Sequence, residues 1–210
     1  MKVTLSTVTP VYRGAEYLRD LVGHLDSLRS RWIETDSPVM LMESLFVDDH
    51  SNDNSSSVLA ELSEEHEWVN IVTLSRNFGQ HSATVAGICH TSSDWVVTLD
   101  EDLQHDPEKI DLLLKKAIKN SADVVYARPE RSAHGNSWRD KSSRFIKRII
   151  GKLSRTENLE VYNSFRIIRG SIARAAASSS SSHTYFDVAM SWFTHSVESV
   201  EFHMEDSRYV

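Results

Sequence analysis

The sequence predicts a single α/β domain with a mostly parallel β-sheet flanked by helices. Its 210 residues are 40% hydrophobic and 25% charged, which is enough apolar material for one buried core. Over the first 127 residues, short runs rich in β-branched residues alternate with longer stretches whose apolar residues recur at helical spacing. This alternation is typical of βαβ units, in which the strands run parallel.

The first four elements are predicted in order. Residues 3–9 are rich in Val and Thr, as in a strand, and Pro10 is expected to end it. Residues 16–32 carry leucines at helical spacing. Residues 39–47 form a second apolar strand, and the polar run 48–56 has the composition of turns and helix caps. Residues 57–68 are the second helix.

The later elements continue the alternation with less regularity. The strands are residues 69–75, 94–100 and 122–127, and the helices are residues 80–92, which follow Phe78-Gly79, and 107–120, which Pro107 begins. Past Arg128 we expect a basic helix from Ser137 to Arg155 and short strands at residues 164–169 and 197–204. The low-complexity run 174–183 is interpreted as a frayed helix end or an exposed loop.

Composition excludes several classes of function. The net charge of −7 argues against a general nucleic-acid binder. The lone cysteine, Cys89, excludes an intrachain disulfide framework, suits a reducing compartment, and is expected to be small and buried. The first residues lack the apolar segment of a secretory signal, and no run is long enough to span a bilayer.

Acidic residues follow the fourth predicted strand, at the edge of a parallel sheet where ligands bind. Asp100 and Asp102 are two residues apart and would point the same way in an extended segment. With the amide of Gln104 they suit a hard cation such as Mg²⁺ or Mn²⁺. The alternative is that these acids complement the dipole of the helix that starts at Pro107.

A second acidic pair, Asp48 and Asp49, follows the second predicted strand. These residues either cap the next helix or face a cation or a donor-rich ligand between the two acidic clusters. The chain contains neither G-x-x-x-x-G-K-[ST] nor G-x-G-x-x-G. A nucleotide would therefore bind through a metal on its phosphates.

Five ordered segments carry a resemblance to a known family: "VTPVYRGAEYL", "FVDDHSNDNS", "LSRNFGQHSATVAGI", "DWVVTLDEDLQHDPEKI" and "VVYARPER". They resemble the nucleotide-sugar-binding half of family 2 inverting glycosyltransferases, and most of all the members that transfer a sugar to a polyprenyl phosphate. The resemblance is dense over residues 3–131 and thinner beyond. It implies a GT-A type, Rossmann-like fold, with residues 1–131 as the nucleotide-sugar-binding half and residues 132–210 as the acceptor-side half.

The resemblance also implies residue roles. Pro10, Val11 and Tyr12 would hold the base and ribose, with Val47 and Asp49 closing on the base. At the phosphate end, Asp100, Glu101 and Asp102 match the D-x-D motif of the family. The implied metal ligands for Mg²⁺ or Mn²⁺ are Asp100, Asp102 and Gln104. Arg128 matches an arginine near the donor phosphates or sugar, and Arg208 matches the phosphate-binding arginine.

The chain departs from the family pattern at three places. Arg13-Gly14 stands where Asn-Glu is common, so the donor-contacting Glu is absent and Glu16 is a candidate substitute. His50 stands where a Gly often follows the second strand. "HMEDSRYV" resembles the start of a longer H-x-x-x-x-R-x-x-G-x-S-x-Y segment, so we expect the chain to be truncated before C-terminal membrane segments.

Together these observations predict a metal-dependent inverting glycosyltransferase that uses a nucleotide sugar, with UDP preferred, and a polyprenyl phosphate or cell-envelope glycan as acceptor. The basic segment from Ser137 to Arg155 is either an ordinary surface helix or an interfacial helix on anionic lipid. The expected location is the cytoplasmic face of the membrane, and a homo-oligomer is left open. The rival functions are a nucleotidyltransferase that makes nucleotide sugars and a catalytically silent membrane-docking module.

Overall fold

The computed structural model describes residues 2–129, 163–181 and 184–202. In these ranges seven strands alternate with helices. The strands are β1 (Val3–Val11), β2 (Val39–Asp48), β3 (Val69–Thr73), β4 (Trp95–Thr98), β5 (Val124–Pro129), β6 (Arg166–Arg169) and β7 (Val197–Phe202). The helices are α1 (Leu18–Glu34), α2 (Ser55–Glu65), α3 (Gln80–Cys89), α4 (Ile110–Asn120), α5 (Gly170–Ser179) and α6 (Phe186–Met190), with one 3₁₀ turn, Pro107–Lys109, before α4.

All seven strands belong to one sheet, in the order β3-β2-β1-β4-β6-β5-β7. β1 pairs in parallel with β2 and β4, β2 with β3, and β5 with β7. β6 runs antiparallel between β4 and β5. The predicted single α/β domain with a mostly parallel sheet is confirmed, and strands from the later part of the chain complete the sheet that the first part begins.

Helices cover both faces of the sheet. Alternate residues of each strand point to opposite faces, so Val97 and Ile167 enter one apolar core while Val96 and Ile168 enter the other. The first core contains apolar residues of α1, α2 and α4, and the second contains those of α3, α5 and α6. An apolar core on each face packs against the sheet. The loops that follow β1, β2 and β4 extend from the carboxyl edge of this packed sheet.

The structure corrects three expectations. β1 continues through Pro10 to Val11, with Pro10 paired to Val47. Because the pairing of β1 with β4 ends at Val8, the missing amide hydrogen of Pro10 removes no bond to β4. Most of the low-complexity run is helical, since α5 extends to Ser179. Cys89 is exposed, because Ala83, Thr84, Gly87 and Ile88 form the buried side of α3 and Cys89 lies off that side.

No helix among the described residues combines the length and the apolar character needed to cross a lipid bilayer. The basic segment from Ser137 to Arg155 and the expected arginine Arg208 lie outside the described residues, so their predicted roles stay predictions.

Candidate functional site

A cleft of about 260 Å³ opens at the carboxyl ends of β1, β2 and β4. It is lined by Pro10, Val11, Tyr12, Asp49, Gln80, Asp100, Glu101 and Asp102. Strand order places these groups in a row along the sheet edge, with Asp49 after β2, the first three at the end of β1, and the acids of the D-x-D segment after β4. The fold therefore brings together residues as far apart in the chain as Pro10 and Asp102, as the strand-end rule predicts.

The turn after β1 forms one wall of this cleft. Tyr12 is 41% exposed, and the guanidinium of Arg13 lies 5.5 Å from the centre of its ring. Arg13 has a positive φ of 65° and donates from Nε to the side-chain oxygen of Asn52 at 2.7 Å. The amide of Gly14 donates to Ser55 Oγ at 3.1 Å. These bonds tie the turn after β1 to the loop after β2, and the exposed tyrosine ring is left facing the cleft.

The two acids after β2 have separate roles. Asp48 accepts from the amide of Ser51 at 2.8 Å and from the hydroxyl of Ser56, so it stabilises the loop that enters α2. Asp49 lines the cleft instead, although only 2% of it is exposed to solvent. Stabilisation of the loop before α2 therefore accounts for Asp48 and does not account for Asp49.

Asp49 anchors the segment that begins α3. Its two carboxylate oxygens accept from the backbone amides of Phe78 and Gly79, each at 2.7 Å. Gly79 has a φ of 87°, a conformation that side chains with a Cβ rarely adopt, and this turns both amides toward Asp49. Because a carboxylate oxygen has two lone pairs, Asp49 can still accept a further hydrogen bond from a ligand.

Asp100 is held from two sides of the cleft. One oxygen accepts from the side-chain amide of Gln80, the first residue of α3, and the other accepts from Ser164 Oγ at 2.7 Å. Asp102 accepts from the backbone amide of Gln104 at 3.2 Å. The cap of the following 3₁₀ turn is Asp106, which accepts from the amide of Glu108 at 2.9 Å. Asp100 and Asp102 are therefore cleft residues and do not serve as helix caps.

The buried ring of His105 contacts the D-x-D segment. It is 5% exposed, its ring stacks on Phe165 with centroids 5.0 Å apart, and its Nδ1 accepts from the amide of Asp100 at 3.0 Å. Burial lowers the pKa of His105, although Asp100 and Asp102 act in the opposite direction. The ring is therefore neutral at pH 7, with its proton on Nε2, and this is the state that can accept from Asp100.

Glu101 reaches from the end of β4 to the end of β1. Its Oε1 accepts from the amide of Tyr12 at 3.3 Å, and its Cγ lies 2.6 Å from the position that a Cβ on Gly14 would occupy. Burial raises the pKa of Glu101, and the neighbouring charges of Asp100 and Asp102 raise it further, against the lowering effect of the backbone amides. The middle acid of the D-x-D segment is thus part of the cleft wall.

The residues of this edge suit a divalent cation. Asp100 and Asp102 present hard oxygen donors on one cleft, and no group of three His, Cys, Asp or Glu side chains converges into a complete metal cage in the ranges that the structure describes. Mg²⁺ and similar ions are commonly held by one or two carboxylates, with water and substrate phosphates filling the remaining positions. This donor set fits such an ion and leaves room for a diphosphate.

Three other predicted residues lie apart from the cleft lining. Val47 is fully buried against α3, where its Cγ2 is 2.8 Å from the position of a Cβ on Gly87. Arg128 lies near the end of β5 opposite Glu201 of β7, and β6 separates β5 from β4. Gln104 contributes a backbone amide to Asp102, and its side chain is not part of the lining. Their ligand-binding roles stay predictions.

Sequence reasoning placed His105 near the cleft as a polar lining residue, but it did not predict which residues position the acids. Gln80, Ser164 and His105 all bond to Asp100, and Gly14 provides the space for Glu101. Gln80 had a local signal, because it directly follows a glycine at a helix start. Ser164 had none, since it reaches Asp100 only because β6 inserts beside β4.

A buried ion pair joins β6 to α6. Asp187 of α6 accepts from the guanidinium of Arg166 and, at 2.7 Å, from the hydroxyl of Tyr126. Burial opposes the charge of Arg166, but the attraction of Asp187 outweighs it and raises the pKa of the arginine. The ring of His81 contacts that of Tyr185 in a tilted arrangement, with centroids 4.0 Å apart, and the charges of Asp187 and Arg166 act on it. The carboxylate of Asp187 is thus already committed to two protein donors.

The fold and cleft define an α/β protein that offers an acid-lined ligand site at the carboxyl edge of a parallel sheet. The chain belongs to glycosyl transferase family 2, whose sequence model matches residues 6–177. The match covers β1 to α5 and therefore includes every residue of the cleft lining.

Three solved structures show similar folds. Mycobacterium tuberculosis glucosyl-3-phosphoglycerate synthase in complex with Mn²⁺ and UDP-glucose has a TM-score of 0.66 and 13% identity, over 96% of this chain and 70% of that one. Mannosyl-3-phosphoglycerate synthase from Rubrobacter xylanophilus has a TM-score of 0.65 and 12% identity, over 96% of this chain and 65% of that one. S. aureus TarS 1–349 in complex with UDP has a TM-score of 0.61 and 13% identity, over 95% of this chain and 58% of that one. The chain thus spans less than two thirds of the last two proteins, and at these identities the similarity establishes the fold.

Proposed function

We propose that this chain binds a nucleotide-sugar donor, preferably a UDP-sugar, and transfers the sugar with inversion to a phosphate-bearing or glycan acceptor. The observation that carries the proposal is the cleft, which holds an aromatic ring and Asp49 at one end and the Asp100/Asp102 pair at the other. A nucleoside diphosphate has matching chemistry, with a flat base at one end and an anionic diphosphate at the other. Membership of glycosyl transferase family 2 favours sugar transfer over nucleotidyl transfer.

In this mechanism the base stacks near Tyr12, and Asp49 accepts a hydrogen bond from the nucleoside. Asp100 and Asp102 would hold Mg²⁺ or Mn²⁺, which would neutralise the charge of the leaving diphosphate. Gln80, Ser164 and His105 fix the orientation of Asp100, so little reorganisation is needed when the donor binds. The glucosyl-3-phosphoglycerate synthase structure with Mn²⁺ and UDP-glucose supports the choice of metal and nucleotide.

The acceptor in this proposal is a polyprenyl phosphate or a cell-envelope glycan at the inner face of the membrane, and an acceptor phosphate is the preferred form. A phosphate is already an anion and needs no general base, and the buried carboxylate of Asp187 is engaged by Arg166 and Tyr126. Residues 132–210 would form the acceptor side, with Arg128 and Arg208 near the phosphates. The seven Lys and Arg residues between Ser137 and Arg155 would contact anionic lipid.

Calorimetry with UDP and GDP, in Mn²⁺ or in EDTA, tests the proposed function. Asp100→Asn and Asp102→Asn should each remove the metal-dependent part of nucleotide affinity. Asp106→Asn is the matched control, because it changes a nearby carboxylate that caps a helical turn outside the cleft lining. Equal affinity in EDTA and Mn²⁺ for the wild type would reject the metal role. The proposed function would be rejected if the wild type bound neither nucleotide, or if it showed no slow hydrolysis of a nucleotide sugar in Mn²⁺.

A further inference from the structure

We infer that Glu101 is the residue that binds the ribose hydroxyls of the donor, and that Gly14 is its required partner; this assignment rests on the proposed function. Glu101 follows β4 and lines the cleft, and Gly14 lies beside its side chain in the turn after β1. Glu101 places a carboxylate beside the turn after β1, and Gly14 leaves the space for it. The residues of that turn from Tyr12 to Ala15 include no acid.

The position of Glu101 along the sheet edge determines what it can contact. Asp49 and Tyr12 lie at the ends of β2 and β1, and Asp100 and Asp102 lie at the end of β4. In the strand order β2-β1-β4, Glu101 spans the junction between the last two, because its carboxylate reaches the amide of Tyr12. A nucleoside diphosphate that runs from the base end to the metal end must place its ribose at this junction.

The chemistry of the ribose matches this position. A ribose presents two hydroxyl donors, and a carboxylate is an acceptor with several lone pairs, so the two groups are complementary. An acid at a strand end that accepts from a ribose hydroxyl is also a known solution in other nucleotide-binding α/β sheets. One oxygen of Glu101 accepts from the amide of Tyr12, and a carboxylate with several lone pairs on a residue of the cleft lining can accept further hydrogen bonds.

Gly14 makes this position of Glu101 available. A Cβ at residue 14 would lie 2.6 Å from Glu101 Cγ, a distance that real contacts do not reach. Gly14 itself is buried and its amide is bound to Ser55 Oγ, so the backbone there cannot easily move away. Any side chain at residue 14 would thus point into the space that Glu101 fills. The carboxylate at this place can belong to the side chain of residue 14 or to that of residue 101, and in this chain it belongs to Glu101.

Calorimetry on the full chain with Mn²⁺ tests this assignment, using UDP, 2′-deoxy-UDP and 3′-deoxy-UDP, or the guanosine series if UDP does not bind. The wild type should bind the ribonucleotide about ten- to hundredfold more tightly than at least one deoxy form, as expected for losing a hydrogen bond to a charged group. Glu101→Ala and Glu101→Gln should reduce that ratio, with deoxynucleotide affinity little changed. Glu64→Ala, an exposed acid on α2, is the matched control.

A swap of positions makes the test stricter. Gly14→Glu alone should weaken binding of all the nucleotides, because the new side chain collides with Glu101. In the double variant Gly14→Glu/Glu101→Ala the carboxylate returns from the other strand end, so part of the ribose preference should be restored. A merely structural role for Glu101, as an anchor for the Tyr12 amide, predicts equal weakening of ribo- and deoxynucleotides and no restoration.

The outcomes separate this assignment from the proposed function. Metal-dependent binding with a ribo-to-deoxy ratio that Glu101→Ala leaves unchanged overturns the role of Glu101 and leaves the proposed function standing. A wild type that binds none of the ribonucleotides overturns both. Circular dichroism of each variant identifies any that fail to fold, and Glu101→Gln, which keeps the shape of the side chain, then decides the result.

Discussion

Asp49 accepts a hydrogen bond from the backbone amide of Gly79 at 2.7 Å, across thirty residues of sequence. The partner oxygen accepts from Phe78 in the same way, so one carboxylate joins the end of β2 to the start of α3. The residue after Gly79 is Gln80, whose side chain holds Asp100. The base end and the metal end of the cleft are therefore connected through a single short segment.

The first prediction concerns this connection. Asp49→Asn replaces one acceptor oxygen with an NH₂ donor, so one of the two amides at Phe78 and Gly79 loses its partner. We expect unfolding free energy to fall by about 1–3 kcal/mol, the usual cost of a buried unsatisfied donor. Nucleotide affinity should also fall, with its Mn²⁺ dependence retained. Urea denaturation and calorimetry measure the two effects.

Asp36→Asn is the control for that experiment, because Asp36 is a highly exposed acid outside the cleft lining and pairs with Lys2 in a surface salt bridge. Its effect on stability should be small. Unchanged stability in Asp49→Asn would show that the two amide bonds contribute nothing, and unchanged nucleotide affinity would remove Asp49 from the nucleoside site.

The second prediction concerns the buried pair Arg166 and Asp187, whose side chains are 5% and 9% exposed. Asp187→Ala leaves the guanidinium buried without its counter-charge and should cost about 3–5 kcal/mol of stability. The double variant Arg166→Met/Asp187→Leu removes both charges and should recover most of that loss. Denaturant unfolding of the two variants provides the comparison. If the double variant is at least as unstable as Asp187→Ala, the lost counter-charge is not the cause.

The third prediction concerns His50, which follows Asp49 with a positive φ of 59°. A side chain in this left-handed region carries a strain of about 1 kcal/mol or more, which glycine avoids. His50→Gly should therefore leave stability unchanged or raise it by up to about 1 kcal/mol, whereas His50→Val should lower it, because β-branched residues are least tolerated there. Thermal unfolding of the two variants decides the matter, and equal effects would show that the backbone at this turn is unstrained.

The fourth prediction concerns acid stability. Burial acts to raise the pKa of Asp123, but hydrogen bonds from Arg169 Nε and Thr194 Oγ1, each at 2.7 Å, and the charge of Arg169 outweigh it and lower the pKa. The unfolded chain therefore takes up a proton at this carboxyl before the folded chain does. The stabilisation is complete above the unfolded pKa of about 4 and is lost as pH falls through the lower folded pKa.

Asp123→Asn should accordingly be less stable than the wild type at pH 7, and the difference should shrink as the pH falls from about 5 to 3. Denaturant unfolding across that range, with Asp36→Asn as the surface control, measures the effect. A difference that stays constant with pH would mean that the charge of Asp123 contributes nothing beyond its hydrogen-bonding shape.

The sequence by itself determined the alternation of strands and helices, the parallel character of most of the sheet, and the strand-end position of Asp49, Asp100 and Asp102. These follow from local periodicity and from the rule that parallel strands share a carboxyl edge. Tertiary structure alone decided that β6 inserts antiparallel beside β4 and places Ser164 on Asp100. It also decided that Asp48 stabilises its own loop while Asp49 accepts from the amides at the start of α3, and that Glu101 fills the space beside Gly14. Contacts between residues so far apart in the chain depend on how the sheet is assembled, and the spacing of residues in a sequence carries no record of that assembly.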